Sequence, residues 1–163
     1  MRPGSSMLRK SDQMENIIIR DYIKKDYPGL IELWKETGLW DPERNDTESN
    51  IATCLKVGGR FLIMEDPGKD VVIGSSWITF DGRRLYLHHF CIASSYQGKG
   101  FGTKLAKASL AYVHSAGHQV KIEVHKENHI AKHLYEKLGF ILFSNYDIFM
   151  IRDVKHIPFE YRS

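Results

Sequence analysis

Ile17, Ile18 and Ile19 stand together between Asn16 and Tyr22 and read as a strand. Tyr27, Leu30, Ile31 and Trp34 then fall on one face of a helix that Asp26 opens and Gly38 ends. A second helix starts at Asp46 or Thr47, either of which can cap it, and runs to about Val57 before Gly58 and Gly59. Three β-rich runs come next, over residues 60–65, 71–80 and 85–93. Turn signals at Pro67 and Gly68 and at Asp81 and Gly82 separate them, which predicts an antiparallel meander. Phe101, Leu105, Ala108 and Tyr112 give one buried face to a helix over residues 103–116, ended by Gly117. In residues 120–125, Val120, Ile122 and Val124 alternate with Lys121, Glu123 and His125, so the strand buries one face and presents Glu123 on the other. A last helix is expected over residues 128–138, up to Gly139. Two closing strands are expected over 140–143 and 148–154, with Asn145 and Asp147 in the turn between them.

The resulting order is β-α-α-β-β-β-α-β-α-β-β. It predicts an α/β (α+β) fold: a mixed, mostly antiparallel sheet of about seven strands flanked by four helices, with a right-handed crossover after the run at 85–93. Ligands of such sheets sit at the carboxyl ends of strands, which draws attention to the residues just after position 93. Residues 1–14 are polar and without periodicity and read as a flexible extension, leaving residues 15–163 as a single domain.

Composition narrows the function classes. A net charge of +3, with basic residues scattered along the chain, argues against a nucleic-acid partner. No apolar run approaches the ~20 residues of a membrane span, and no apolar stretch comes after Arg2, Arg9 and Lys10, so a cytoplasmic protein without membrane contact is expected. Cys54 and Cys91 suggest neither a disulfide framework nor a metal site. His125, His129 and His133 recur at intervals of four, but only the last two share the predicted helix and nothing completes a ligand shell, so no metal is expected. Asp41, Glu43, Asp46 and Glu48 bunch around one loop, which is either a solvated helix start or a surface that attracts a cation.

The densest motif is Gln97-Gly98-Lys99-Gly100-Phe101-Gly102 between the strand at 85–93 and the helix beginning at Thr103. Glycines at alternate positions clear side chains from a strand-to-helix turn, so backbone N–H groups converge where the helix dipole is positive and Lys99 adds charge. A P-loop is excluded because Gly102 is succeeded by Thr103 before Lys104. A dinucleotide fingerprint is excluded because its third glycine position falls on Thr103. The run instead resembles the Gln/Arg-x-x-Gly-x-Gly/Ala motif of the GNAT superfamily of N-acetyltransferases. A second block, Asn128, Ala131, Leu134, Tyr135, Glu136, Lys137, Leu138, Gly139 and Phe140, resembles that family independently.

The resemblance implies a single N-acetyltransferase domain that moves an acetyl group from acetyl-coenzyme A to a primary amine, on a small molecule or a peptide, by direct attack in a ternary complex. It implies that Phe90, Cys91 and Ile92 offer backbone groups to the pantetheine arm and the acetyl carbonyl. Gln97, Gly98, Lys99, Gly100, Phe101, Gly102 and Thr103 would hold the diphosphate. Asn128 would bond the arm, and Tyr135 would stand near the thioester sulfur and protonate the leaving thiolate. Glu123 resembles the glutamate that serves some members as base, which an amine protonated at neutral pH requires. Other roles stay open: Asn128 as a helix cap, Tyr135 as core, Glu123 as a solvated strand residue, and Cys91 as a nucleophile in place of a packing thiol. His88 and His89 point to opposite faces of their strand, and either could carry a proton. Trp34, Trp40 and the acidic bunch are expected to form the amine-receiving wall. A coenzyme A-binding module without turnover is the alternative, and the closing strands permit a homodimer.

Overall fold

The computed structural model describes residues 16–157; the extension expected over residues 1–14 lies outside them. Two compact units divide between Glu127 and Asn128. In the first, the isoleucine run becomes β1 (Ile18–Asp21), followed by a 3-10 turn (Lys24–Asp26), α1 (Tyr27–Thr37), a second 3-10 turn (Pro42–Arg44) and α2 (Glu48–Lys56). Thr47 caps α2, its hydroxyl accepting from the Asn50 N–H, and Gly38 ends α1 with φ +74°. The meander comes next as β2 (Arg60–Asp66), β3 (Val71–Phe80) and β4 (Leu85–Ile92). A 3-10 turn (Ser94–Tyr96), α3 (Phe101–Ala116) and β5 (Val120–Ile122) complete the unit. The strands lie side by side in chain order, all antiparallel except β4 with β5, for which α3 is the crossover.

The core of this unit is aromatic. Phe61 of β2 lies between Trp34 of α1 and Trp77 of β3, with ring centroids 6.1 and 5.5 Å away and planes within 5° of parallel. Leu30, Ile51, Ile63 and Met64 fill in around them and are inaccessible to solvent. Each such side chain contributes about 1.5–3 kcal/mol by burial. Arg20 fastens β1 to the start of α1: it donates to both oxygens of buried Asp26, at 2.7 and 2.8 Å, and to Glu65 of β2 at 2.6 Å. Burial pushes the Asp26 carboxyl up, but the Arg20 bonds and the Ile23 N–H outweigh this and hold it below the usual carboxylate range. α3 docks on β3 through a buried hydroxyl pair, Ser76 Oγ to Ser109 Oγ at 2.7 Å, and Ser109 also donates to the Leu105 carbonyl.

The second unit contains α4 (His129–Lys137) and a 3-10 turn (Val154–His156). Residues 140–143 and 148–154, expected as strands, form none, so the sheet has five strands and not about seven. The Phe140 N–H turns back to the Tyr135 carbonyl, and Ile141 and Phe149 are 80% and 92% exposed. Strand propensity in such runs reports only a fit to a pleated, half-buried surface; without a ladder it specifies no strand. The strand expected over 120–125 likewise stops at Ile122. Among the described residues no helix is long and apolar enough to cross a membrane, and no three His, Cys, Asp or Glu side chains are placed to hold a metal ion.

Candidate active site

The pairing of β4 with β5 runs Leu85–Val120, Tyr86–Lys121 and Leu87–Ile122 and then stops, while β4 continues to Ile92. That continuation carries Phe90, Cys91 and Ile92, and it is irregular. Trp77 of β3 pairs with His88 and Ser75 with Cys91, so two β4 residues, His89 and Phe90, oppose the single Ser76. The bulge bends β4 where the parallel ladder ends. His89 takes up the irregularity with φ +44°, which costs a non-glycine residue about 1–3 kcal/mol.

The chain then enters the glycine turn. The Gln97 amide donates to the Ile92 carbonyl at 2.8 Å and closes the turn against the end of β4. Glu36 of α1 accepts from the Ser94 N–H at 2.7 Å. Gly98 and Gly100 have φ +72° and +84°, and Gly100 is the N-cap of α3 with no side-chain cap. The first bond of α3 runs from Lys104 N–H to the Gly100 carbonyl, so the N–H groups of Phe101, Gly102 and Thr103 face off the helix end. The helix is 16 residues long, and its dipole reinforces them. Gly98, Lys99 and Gly100 are exposed, and a Cβ at either glycine would meet nothing within 4 Å, so the turn is an open cradle of backbone donors. Lys99 borders it with its ammonium on the Ser95 carbonyl, 2.7 Å away.

The other expected residues fall into separate settings. Glu123 comes directly after β5, with its carboxylate near the Tyr86 phenol and 3.9 Å from the Lys121 ammonium. Burial first, and Glu123 second, raise the Tyr86 phenol well above its ordinary range. Cys91 lies 3.4 Å from the Ser75 hydroxyl, and burial pushes its thiol up, the wrong direction for a nucleophile. His88 bonds the Thr79 hydroxyl at 2.9 Å and packs on Tyr86. Burial, and then the neighbouring His89, push it down to about 4. In the second unit, Asn128 caps α4, accepting from the Ala131 N–H at 3.1 Å, and Tyr135 is buried against Phe140.

The acidic bunch is largely engaged. Asp41 accepts from the Glu43 N–H and lies 3.6 Å from Arg44, and Glu48 faces Lys24 at 3.4 Å. Trp34, expected on an amine-receiving wall, is instead fully buried in the core against Phe61, with its indole N–H satisfied by Ser75 at 3.0 Å. Sequence reasoning did not find the pair that Asp46 makes: its Oδ2 is 2.8 Å from His89 Nε2, with both side chains about nine-tenths buried. The two residues are 43 apart in the chain, and no local spacing links them.

The chain matches the model of the acetyltransferase (GNAT) family over residues 14–140. It is 29% identical, over 137 residues, to the spermidine N(1)-acetyltransferase of Escherichia coli K12, a match that spans 82% of this chain and 67% of that protein. An acetyltransferase of Streptococcus agalactiae has the same fold, with a TM-score of 0.69 at 19% identity, covering 84% of this chain and 92% of that one. AAC(6')-Iy, solved in complex with the bisubstrate analog CoA-S-monomethyl-acetylneamine, superposes with a TM-score of 0.63 at 16% identity over 85% of this chain and 99% of that one.

Proposed function

Because the chain belongs to the GNAT acetyltransferase family, we propose that it transfers the acetyl group of acetyl-coenzyme A to a cationic primary amine by direct attack within a ternary complex. The observation that carries this reading is the cradle at the end of β4: two left-handed glycines and the donor N–H groups at the head of α3. They suit a diphosphate, since each backbone donor can meet an oxygen and the helix end supplies positive potential. Gln97, Gly98, Lys99, Gly100, Phe101, Gly102 and Thr103 are assigned to it, and Phe90, Cys91 and Ile92 to the pantetheine arm, which would add along β4 beyond its last pair with β5. Asn128 is assigned to the arm as well, and Tyr135 to the leaving sulfur.

Glu123 takes the proton of the arriving ammonium and passes it to water, for which its partly exposed carboxylate is suited. The backbone N–H near Cys91 meets the developing oxyanion, and Tyr135 protonates the departing thiolate. The raised thiol of Cys91 favours direct attack over a covalent acetyl-cysteine. As to the acceptor, one relative is named for spermidine and a fold neighbour was solved with an acetylneamine analog, which favours an amine of that cationic kind. A compartment without a membrane and a homodimer belong to the same reading.

Thiol release from acetyl-coenzyme A across a panel of amines, beginning with spermidine and neamine, tests it. Turnover is expected with at least one. Gly100→Ala should weaken acetyl-coenzyme A binding about tenfold by calorimetry, because it strains a left-handed residue and closes the cradle. Glu123→Gln and Tyr135→Phe should each lower kcat by about 100-fold. Binding of acetyl-coenzyme A without turnover on any amine would instead identify a binding module.

A further inference from the structure

His89 is held more tightly than a packing histidine requires. Its ring sits against Trp34 and Trp77, with centroids 4.5 and 5.5 Å away, and its carbonyl accepts from Ser75 at 2.6 Å. Asp46 is fixed in turn, its carbonyl accepting from the Tyr27 hydroxyl at 3.0 Å. A carboxylate only accepts, so the hydrogen of a neutral His89 ring lies on Nε2, and Nδ1 is left as a bare lone pair. That Nδ1 is closed to solvent and has no hydrogen-bond partner among the described residues. A left-handed backbone, a buried carboxylate and an unmatched ring nitrogen thus coincide one residue before Phe90.

We infer that His89 and Asp46 form a proton-accepting dyad for the acceptor amine, with Nδ1 as the accepting atom. The inference rests on the acetyl-transfer reading and deepens it, because a primary ammonium must shed two protons. Glu123 accounts for the one lost before attack. As the amine lone pair bonds the thioester carbon and the carbonyl electrons move to oxygen, the nitrogen becomes positive. Its second proton passes to His89 Nδ1, and Asp46 stabilises the imidazolium at Nε2. The oxyanion then collapses, the carbon–sulfur bond breaks, and the thiolate takes the Tyr135 proton. Water restores Tyr135 and receives the His89 proton, so one proton is released per amide formed. The charged and titratable groups about the ring are Asp46 from the 41–47 segment, Tyr27 of α1 behind it, His88 on the same strand and Cys91 across Ser75. Because Nδ1 is closed to solvent and Asp46 must stay on Nε2, the acceptor reaches Nδ1 only as a side chain other than Asp46 gives way.

Two substitutions separate catalysis from packing. His89→Gln places an amide N–H near the position of Nε2, which keeps the Asp46 contact but deletes Nδ1. Asp46→Asn keeps an acceptor for Nε2 but deletes the charge. With the full-length chain, acetyl-coenzyme A and the best amine of the panel, His89→Gln should lower kcat by 100-fold or more. Affinity for acetyl-coenzyme A should stay within about threefold, and the acidic limb of the pH–kcat/KM profile should become shallower, since Glu123 remains. Asp46→Asn should move that limb to lower pH. Activity of His89→Gln within about threefold of wild type, with its limb intact, would leave only a packing role and overturn the dyad. If His89→Gln does not fold, an unmoved limb in folded Asp46→Asn overturns it. Failure of the wild-type chain to turn over any amine overturns the acetyl-transfer reading itself, and the dyad with it.

Discussion

His88 and His89 are chain neighbours at the bulge of β4 whose rings both approach Trp77, yet their chemistry diverges. His88, buried beside Tyr86 and bonded to Thr79, is pushed from 6.5 down to about 4. The unfolded chain therefore binds a proton between pH 6.5 and 4 that the folded chain refuses. The stability this represents is complete above pH 6.5 and is lost as pH falls toward 4. Wild type should consequently lose about 2 kcal/mol more than His88→Gln between pH 7.5 and pH 5, measured by urea unfolding. The two histidines were legible in the sequence as candidates, but the opposite faces expected of them are not found, because the bulge brings both rings beside Trp77. Which of them meets a carboxylate was not legible, because the answer depends on a bulge in β4 and on a loop 43 residues upstream.

At the scale of elements, the hydroxyl pair that joins α3 to β3 has a built-in asymmetry. Ser109 gives its proton to the Leu105 carbonyl, so Ser76 must be the donor across the interface. Ser109→Ala strands a buried donor on Ser76 and should cost about 1–3 kcal/mol. Ser76→Ala leaves Ser109 still bonded and should cost less, and the double variant should be no worse than Ser109→Ala alone. Thermal unfolding of the three proteins checks the order. Elements of this unit were legible where one face is apolar and a glycine or cap marks the end, as for α1, α2 and the meander. The glycine turn and its helix were legible for the same reason. The runs at 140–143 and 148–154 failed because apolar, β-branched composition was read as pairing, and pairing needs an edge that composition does not name. Asn128 was legible as a cap, and it accepts from the Ala131 N–H at the start of α4.

For the whole molecule, the exposed apolar residues matter most. Ile141, Leu142, Phe143, Tyr146, Ile148, Phe149, Met150 and Ile151 are each at least 64% exposed within one short stretch. Contiguous apolar surface of this kind marks association sites in soluble proteins. Sedimentation equilibrium should show a mass above the 18.9 kDa of one chain, and Phe149→Lys should shift it toward that value. A monomer at all concentrations would count against association through this stretch.

The stacked rings of the core also make the protein its own optical probe. Two of the three tryptophans, Trp34 and Trp77, flank the His89 imidazole at 4.5 and 5.5 Å. A proton gained or lost there changes a charge in direct contact with two indoles, so their emission registers the event without a label. Stopped-flow fluorescence on the unmodified chain can thereby time an amine's arrival separately from the appearance of free thiol.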